Sequence, residues 1–78
     1  MLEKDIVNKI IKYLKTLQCC FAWKEHGGMY GTAGIPDIIA CVNGQFFAFE
    51  VKTDTGKTSA LQENTIRKIL ASGGHAFV

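Results

Sequence analysis

Apolar residues recur every three or four positions at the start of the chain, which is the spacing of an amphipathic helix. The apolar stripe comprises Ile6, Val7, Ile10, Leu14 and Leu17. We therefore predict a first helix from Glu3 to about Leu17. The next run, Cys19 to Trp23, is short, apolar and aromatic, and predicts a strand.

Glycines and polar residues mark the later boundaries. Residues 27–34 contain four glycines and no regular period, so a loop is predicted there. Ser59 and Gln62 have the spacing of a capping box, which predicts the start of a second helix. Gly73-Gly74 predicts the end of that helix, and His75 to Val78 is predicted to begin a final strand. With the hairpin described next, the predicted order is α-β-β-β-α-β.

A hairpin is predicted at Asn43-Gly44, which lies between two apolar runs. This dipeptide is the strongest short-range signal for a two-residue type I′ turn, because both central residues need φ > 0. The predicted strands are Asp37 to Val42 and Gln45 to Lys52. Apolar residues occupy both faces of the second strand, so we expect cover on both sides. Helices on a mixed sheet, an α/β fold, are therefore expected.

The register of this hairpin brings Asp37 directly opposite Glu50, with Cβ atoms roughly 4.5–5.5 Å apart. Period-two alternation returns Lys52 to the same face as Glu50. Two carboxylates this close repel one another, and a divalent cation between them would remove the conflict. Two structural alternatives stay open: Asp37 as a turn residue after Pro36, and Glu50 as the partner of Lys52 in an ion pair. We favour the metal, because one lysine does not offset two acids. A β-bulge would slip the register and move one carboxylate to the other face.

Size, charge and cysteines narrow the class of protein. With 78 residues the chain forms a single domain, 1–78, whose small core favours dimerisation. The net charge of +2 does not indicate nucleic-acid binding by itself. No apolar stretch approaches the roughly 18 residues of a membrane span, so a cytoplasmic protein without a membrane partner is expected. The three cysteines fit neither a disulfide framework nor a zinc site, and Cys41 is predicted to be buried.

Two further polar residues project onto apolar helix faces. Glu3 lies within about 60° of the first apolar stripe at 100° per residue. Its structural alternative is a favourable carboxylate in the first turn of a helix. Gln62 projects onto the stripe of Ile66 and Ile69, and its alternative is the capping-box role. If both side chains point inward, they extend the Asp37/Glu50/Lys52 group.

These residues together resemble a known family. Gly34-Ile35-Pro36-Asp37 followed by Glu50-Val51-Lys52 resembles the PD-(D/E)xK nuclease signature. With a glutamate in the first helix, and with Ser59 and Gln62 opening the second, the whole pattern is similar to the small VRR-NUC branch. The resemblance extends from Glu3 to Val78.

The resemblance implies a restriction-endonuclease-like α/β core that hydrolyses DNA phosphodiesters with Mg²⁺ or Mn²⁺. Carried over, Asp37, Glu50 and the Val51 carbonyl are metal ligands, and Lys52 orients or helps to deprotonate the attacking water. Glu3 would help to hold a water of the metal or a second ion, and Gln62 matches the glutamine of the family's helix. Stand-alone members resemble Holliday-junction resolvases, which cut paired strands as homodimers, and they are common in phages.

Our leading hypothesis is therefore a metal-dependent, structure-selective endonuclease that acts as a homodimer on branched DNA, such as a four-way junction. Mg²⁺ prefers oxygen ligands, and one or two carboxylates are enough to bind it in such a site. The alternative is a catalytically silent DNA-binding or assembly module with the same fold. A glycosidase-like carboxylate pair is disfavoured, because few sugar-stacking aromatic residues flank the pair in the sequence.

Overall fold

A four-stranded sheet organises the chain. The computed structural model describes residues 2–25, 34–53 and 56–78, so the predicted glycine-rich loop lies outside the described residues except for Gly34. In chain order the elements are α1 (Glu3–Leu14), β1 (Cys20–Lys24), β2 (Ile38–Val42), β3 (Gln45–Phe49), α2 (Ala60–Ala71) and β4 (His75–Phe77). The sheet order is β1-β2-β3-β4, with β4 parallel to β3 and the other pairs antiparallel. The predicted α/β fold, with its element order and its mixed sheet flanked by helices, is confirmed.

The hairpin turn forms where the Asn-Gly dipeptide predicts it. Asn43 and Gly44 have φ values of 51° and 79°, the left-handed conformation that a type I′ turn requires. Val42 pairs with Gln45, as predicted, and the ladder continues to the pair Ile38 and Phe49. The register contains no slip between these two ends.

The first helix ends earlier than predicted, at Leu14 instead of Leu17. The N–H groups of Thr16 and Leu17 donate to the carbonyls of Tyr13 and Leu14 at 3.0 and 3.1 Å, which tightens the chain into turns. The Thr16 hydroxyl also donates to the Tyr13 carbonyl at 2.6 Å, and such local bonds compete with helix continuation. Leu17 is exposed as a result.

The second helix begins and ends close to the predicted residues. Ser59 is its N-cap, and the Ser59 side chain accepts the N–H of Gln62. The helix runs to Ala71, before the two glycines that were predicted to end it. No residue of α2 is buried, although Ile66 and Ile69 are half-buried.

The core lies between α1 and one face of the sheet. It is built from Val7, Leu14, Ala22, Ile38, Ala40 and Val51. Helix α1 packs on β1, whereas α2 packs on β4 at the opposite edge of the sheet. Helix α1 therefore covers the core face of the sheet, whereas the opposite face has no helix above it near β1.

This partial cover corrects two predictions. Cys41 was predicted to be buried, but it is exposed, as are Phe21 and Trp23 on the same face of the sheet. On β3, Ala48 is fully buried and Phe46 is exposed, so the expected cover on both faces is only partly present. The reason is that α2 packs on β4 at the other edge, so this face of the sheet has no helix above it at β1.

Two sequence-based exclusions can be compared with the structure. All three cysteines are free. Within the described residues, neither helix is long and apolar enough to cross a membrane.

Candidate functional site

Asp37 occupies the residue just before β2, where two hydrogen bonds fix it. Its carbonyl accepts the N–H of Glu25 at 2.8 Å. Its carboxylate oxygen Oδ2 accepts the N–H of Val51 at 2.9 Å. Pro36, directly before it, is fully buried. The Asp37 side chain is therefore tied to the segment that follows β3, 14 residues further along the chain.

The strands end before the predicted site residues, which is a correction to the predicted strand limits. The β2–β3 ladder stops one residue short of the Asp37–Glu50 pair, so Asp37, Glu50 and Lys52 lie beyond its end. The N–H of Glu50 donates instead to the carbonyl of Phe77 in β4 at 2.8 Å. The N–H of Val51 is taken by the Asp37 carboxylate. The Asp37 side chain and strand β4 therefore accept the backbone N–H groups of Val51 and Glu50, and the β2–β3 ladder does not continue through them.

Glu50 is the most unusual side chain in the described part of the chain. It is only 3% exposed. Among the described residues, its carboxyl oxygen Oε1 has no hydrogen-bond donor. Its other oxygen, Oε2, lies 3.9 Å from Nζ of Lys52, a distance at which the charges attract without a good hydrogen bond. A buried carboxylate in this state is costly unless it gains a proton or a cation.

The electrostatics of Glu50 reflect this conflict. Burial raises the pKa of Glu50 to about 8, and the Asp37 carboxyl adds to the rise through a hydrogen bond and through its charge. Lys52 lowers this pKa, and the charge of Glu3 raises it. Because burial and two acids outweigh one lysine, the carboxyl of metal-free Glu50 holds a proton at neutral pH.

The effect of the Asp37 carboxyl on the pKa of Glu50 indicates that the two acids lie close together, as the hairpin predicts. Two ionised carboxylates offer only acceptor oxygens. Either one of them must therefore take up a proton, or a cation must lie between them. The described residues contain no group of three or more His, Cys, Asp or Glu side chains that could hold a metal. Two carboxylates are nevertheless enough for Mg²⁺, which keeps several waters and also binds substrate phosphate. The residues present therefore fit a divalent cation.

Lys52 and Val51 flank this pair. The Lys52 side chain is 19% exposed and lines the same cleft as Glu50, so its cation is near the carboxylates and open to a ligand. Val51 is buried, and its N–H orients Asp37. The metal contact predicted for the Val51 carbonyl stays a prediction.

The two helix residues are placed differently from each other. Glu3 is exposed in the first turn of α1, so the prediction that it faces the core is wrong, because the buried residues of α1 begin only at Val7. Its charge nevertheless acts on Glu50. Gln62 is half-buried, and its side-chain oxygen accepts the N–H of Ser59 at 2.8 Å. The structure therefore shows the capping role of Gln62, and its predicted part in the site stays a prediction.

Sequence reasoning missed the walls of the cleft. Phe49 and Phe77 line it together with Ile6 and Ile10 of α1. Ile6 and Ile10 had been assigned to the core, whereas Phe77 comes to Phe49 only through the parallel pairing of β4 with β3. No local pattern in the sequence indicates that pairing.

A known protein family is similar to this chain over most of its length. A sequence model of the archaeal Holliday junction resolvase family, Hjc, matches residues 24–76. The matched segment runs from the end of β1 to β4 and contains Asp37, Glu50, Lys52 and Gln62, whereas Glu3 precedes it. No match was found among curated proteins or among solved structures. The match covers most of the chain and the acidic pair at its centre. The chain therefore belongs to the archaeal Holliday junction resolvase family, a family of PD-(D/E)xK-like nucleases.

Proposed function

We propose that this nuclease cuts branched DNA, four-way junctions in particular, with Mg²⁺ or Mn²⁺ held by Asp37 and Glu50, and that it acts as a homodimer. The observation that carries the proposal is the buried oxygen Oε1 of Glu50, which lacks a donor among the described residues and belongs to a carboxyl whose pKa Asp37 raises. A divalent cation would meet both acids at once and remove the repulsion between them.

The residues have distinct tasks in this proposal. Asp37 is oriented by the N–H of Val51, and Glu50 by its backbone bond to Phe77, so both ligands are fixed before substrate arrives. The Lys52 ammonium is directed at the phosphate or at the attacking water and stabilises the charge that develops on phosphate. When bound, the cation would lower the pKa of a water and offset phosphate charge. Val51 would add its carbonyl as a ligand.

Glu3 and Gln62 belong to the outer part of the proposed site. Glu3 is supported by its electrostatic effect on Glu50 across the space between α1 and the end of β3. Gln62 is supported only by its place at the start of α2. Both positions are the ones that a VRR-NUC protein would use, and we infer that the chain is related to that branch as well as to Hjc.

Dimerisation is supported by the apolar surface that the fold leaves open. Phe21 is 69% exposed and Trp23 is 41% exposed, on a part of the sheet that neither helix covers. A four-way junction also presents two equivalent strands, so symmetric cleavage requires two sites. Analytical ultracentrifugation should give twice the mass of the chain, and a monomer at working concentration would contradict this part of the proposal.

Cleavage of a synthetic four-way junction tests the activity. The wild-type protein should cut it with Mg²⁺ or Mn²⁺ and not with EDTA. Asp37→Asn and Lys52→Ala should each lose at least about 100-fold in rate, as expected when a charged group that stabilises the transition state is removed. Lys12→Ala, on the exposed side of α1, is the matched control and should cut normally. Full activity of either site variant would rule out the mechanism.

Calorimetry with Mn²⁺ separates this proposal from a catalytically silent module. The nuclease should bind Mn²⁺ through a site that Asp37→Asn abolishes. Binding of the junction with no binding of Mn²⁺ would favour the silent module.

A further inference from the structure

A cleft of about 260 Å³ opens beside Glu50 and extends away from the acidic pair. The proposed cation site accounts for its polar end, where Glu50 and Lys52 lie. The rest of its wall is apolar and has no role in the hydrolysis described above. This wall consists of Ile6, Ile10, Phe49, Val51, Phe77 and Val78.

The aromatic part of this wall is ordered by stacking. The rings of Phe49 and Phe77 lie 5.6 Å apart with planes 19° apart, and Phe47 and His75 continue the row at similar angles. Phe77 is 50% exposed, so it has ring surface available for a further partner. Its carbonyl accepts the N–H of Glu50 at 2.8 Å, which fixes its backbone against the residue proposed as a metal ligand.

We propose that the exposed surface of Phe77 receives an unstacked DNA base next to the phosphate that is cut. The inference rests on the proposed function and deepens it, because it names the feature of the substrate that the site selects. Every base has a π-face, so stacking on an aromatic ring binds a base without reading the sequence. Phe77 lies outside the segment that the family model matches, residues 24–76.

The size and charge of the cleft favour a nucleotide over a second copy of the chain. About half of one phenylalanine, on the order of 100 Å², is open at Phe77. A stable protein interface buries about 800 Å² on each partner. The Lys52 ammonium at the polar end of the cleft matches a phosphate, while the ring at the apolar end matches a base. One occupant that carries both groups is a nucleotide.

This arrangement would explain the proposed preference of the nuclease for branched DNA. A base inside a continuous duplex must be unstacked before it can reach Phe77, whereas a base at a branch point has already lost part of its stacking. Stacking on the ring therefore favours binding of the branched substrate over binding of a continuous duplex. Phe77 is on this account a specificity residue and takes no part in the hydrolysis itself.

The test compares Phe77→Ala with Phe77→Tyr, which keeps an aromatic ring, and with the control Tyr13→Ala. Tyr13 is 63% exposed on α1 and does not line the cleft. For a four-way junction, Phe77→Ala should raise KM about 5- to 150-fold, the range expected for loss of one stacked base, with little change in kcat. Phe77→Tyr and Tyr13→Ala should keep the wild-type KM, and cleavage of a nicked linear duplex should change less than cleavage of the junction.

Several outcomes would overturn the inference. An unchanged KM in Phe77→Ala, or an equal rise for junction and nicked duplex, would show that Phe77 does not select an unstacked base. Loss of the dimer in Phe77→Ala would show that the ring serves a second copy. If the wild-type protein does not cut the junction at all, the proposed function fails instead.

A second measurement decides the matter should Phe77→Ala not fold. A junction carrying 2-aminopurine at the branch point is bound by wild-type protein in EDTA, and the fluorescence of the analogue is recorded. Because neighbouring bases quench the analogue and a phenylalanine ring quenches it little, transfer of the base from the DNA stack to Phe77 should raise the fluorescence relative to the free junction, and Phe77→Leu, which keeps an apolar side chain without a ring, should give a smaller rise. An analogue that fluoresces equally in free and bound junction would overturn the inference.

Discussion

Replacing Glu50 with glutamine should stabilise the metal-free protein at alkaline pH relative to the wild type. The Glu50 carboxyl has a pKa raised from 4.5 to about 8 by burial and by Asp37. Between these two values the folded chain holds a proton that the unfolded chain has released. The contribution of Glu50 to stability is therefore fully present below about pH 4.5 and is lost as the pH rises through about 8. Glutamine keeps the size of the side chain and removes the ionisation.

The size of the effect follows from the pKa values. Each unit of pKa difference corresponds to about 1.4 kcal/mol, so the full difference is worth about 5 kcal/mol. Between pH 5 and pH 9 about 4 kcal/mol of this should be lost. A domain of 78 residues has a total stability of only about 4–12 kcal/mol. Ionisation of this one carboxyl therefore removes a large part of the free energy of unfolding of the metal-free protein. A bound cation would remove that cost.

Urea unfolding in EDTA, followed by the fluorescence of Trp23, measures the effect from pH 5 to pH 9. The free-energy gap between Glu50→Gln and wild type should widen by about 4 kcal/mol across this range. Glu63→Gln changes an exposed acid in the same way and should show no such widening. Addition of Mg²⁺ at pH 8 should stabilise the wild type and leave Glu50→Gln nearly unchanged. A gap that stays constant within about 1 kcal/mol would refute the argument.

Three further results are expected. At pH 7, binding of Mn²⁺ should release close to one proton, because Glu50 must give up its proton. The release is measured as a dependence of the calorimetric enthalpy on the ionisation enthalpy of the buffer. No release would contradict the raised pKa of Glu50. Gly34→Ala should lose about 1–3 kcal/mol in urea unfolding, because its Cβ would lie 2.7 Å from a leucine of α2 at a φ of +83°. Gly44→Ala, with φ +79° and open space, is the control and should lose about 1 kcal/mol. Ser59→Ala and Gln62→Ala should each lose about 1 kcal/mol through the helix cap, and a larger loss of cleavage rate in Gln62→Ala than in Ser59→Ala would support a catalytic role for the glutamine.

Features specified by neighbouring residues could be predicted from the sequence. The Asn43-Gly44 turn fixes its own conformation, and through it the pairing of Val42 with Gln45. The capping box of Ser59 likewise fixes the start of α2. The end of α1 could not be predicted from its apolar period, because Leu17 continues the period after Thr16 has already bonded back to the helix.

The cover of each sheet face and the walls of the cleft depend on distant parts of the chain. Cys41 has an apolar strand pattern on both sides, and only the placement of α2 on β4 leaves it exposed. Phe77 becomes part of the site because β4 pairs in parallel with β3 after a helical crossover. The length and period of the crossover predict that a parallel strand follows, but they do not give its register.

The acidic pair is held by more contacts than the hairpin that predicts it. Asp37 and Glu50 are expected to meet as paired residues of one hairpin; they lie beyond the last pair of the ladder, and the rise that Asp37 causes in the pKa of Glu50 indicates that they are close. What holds them there is the Asp37 bond to the N–H of Val51, the Glu25 bond to the Asp37 carbonyl, and the Phe77 bond to Glu50. These bonds come from the residue after β1, from β4 and from the segment after β3, so the hairpin alone would bring the acids near each other without fixing either. The site therefore depends on closure of the whole sheet, because contacts far from Glu50 in sequence hold it in place.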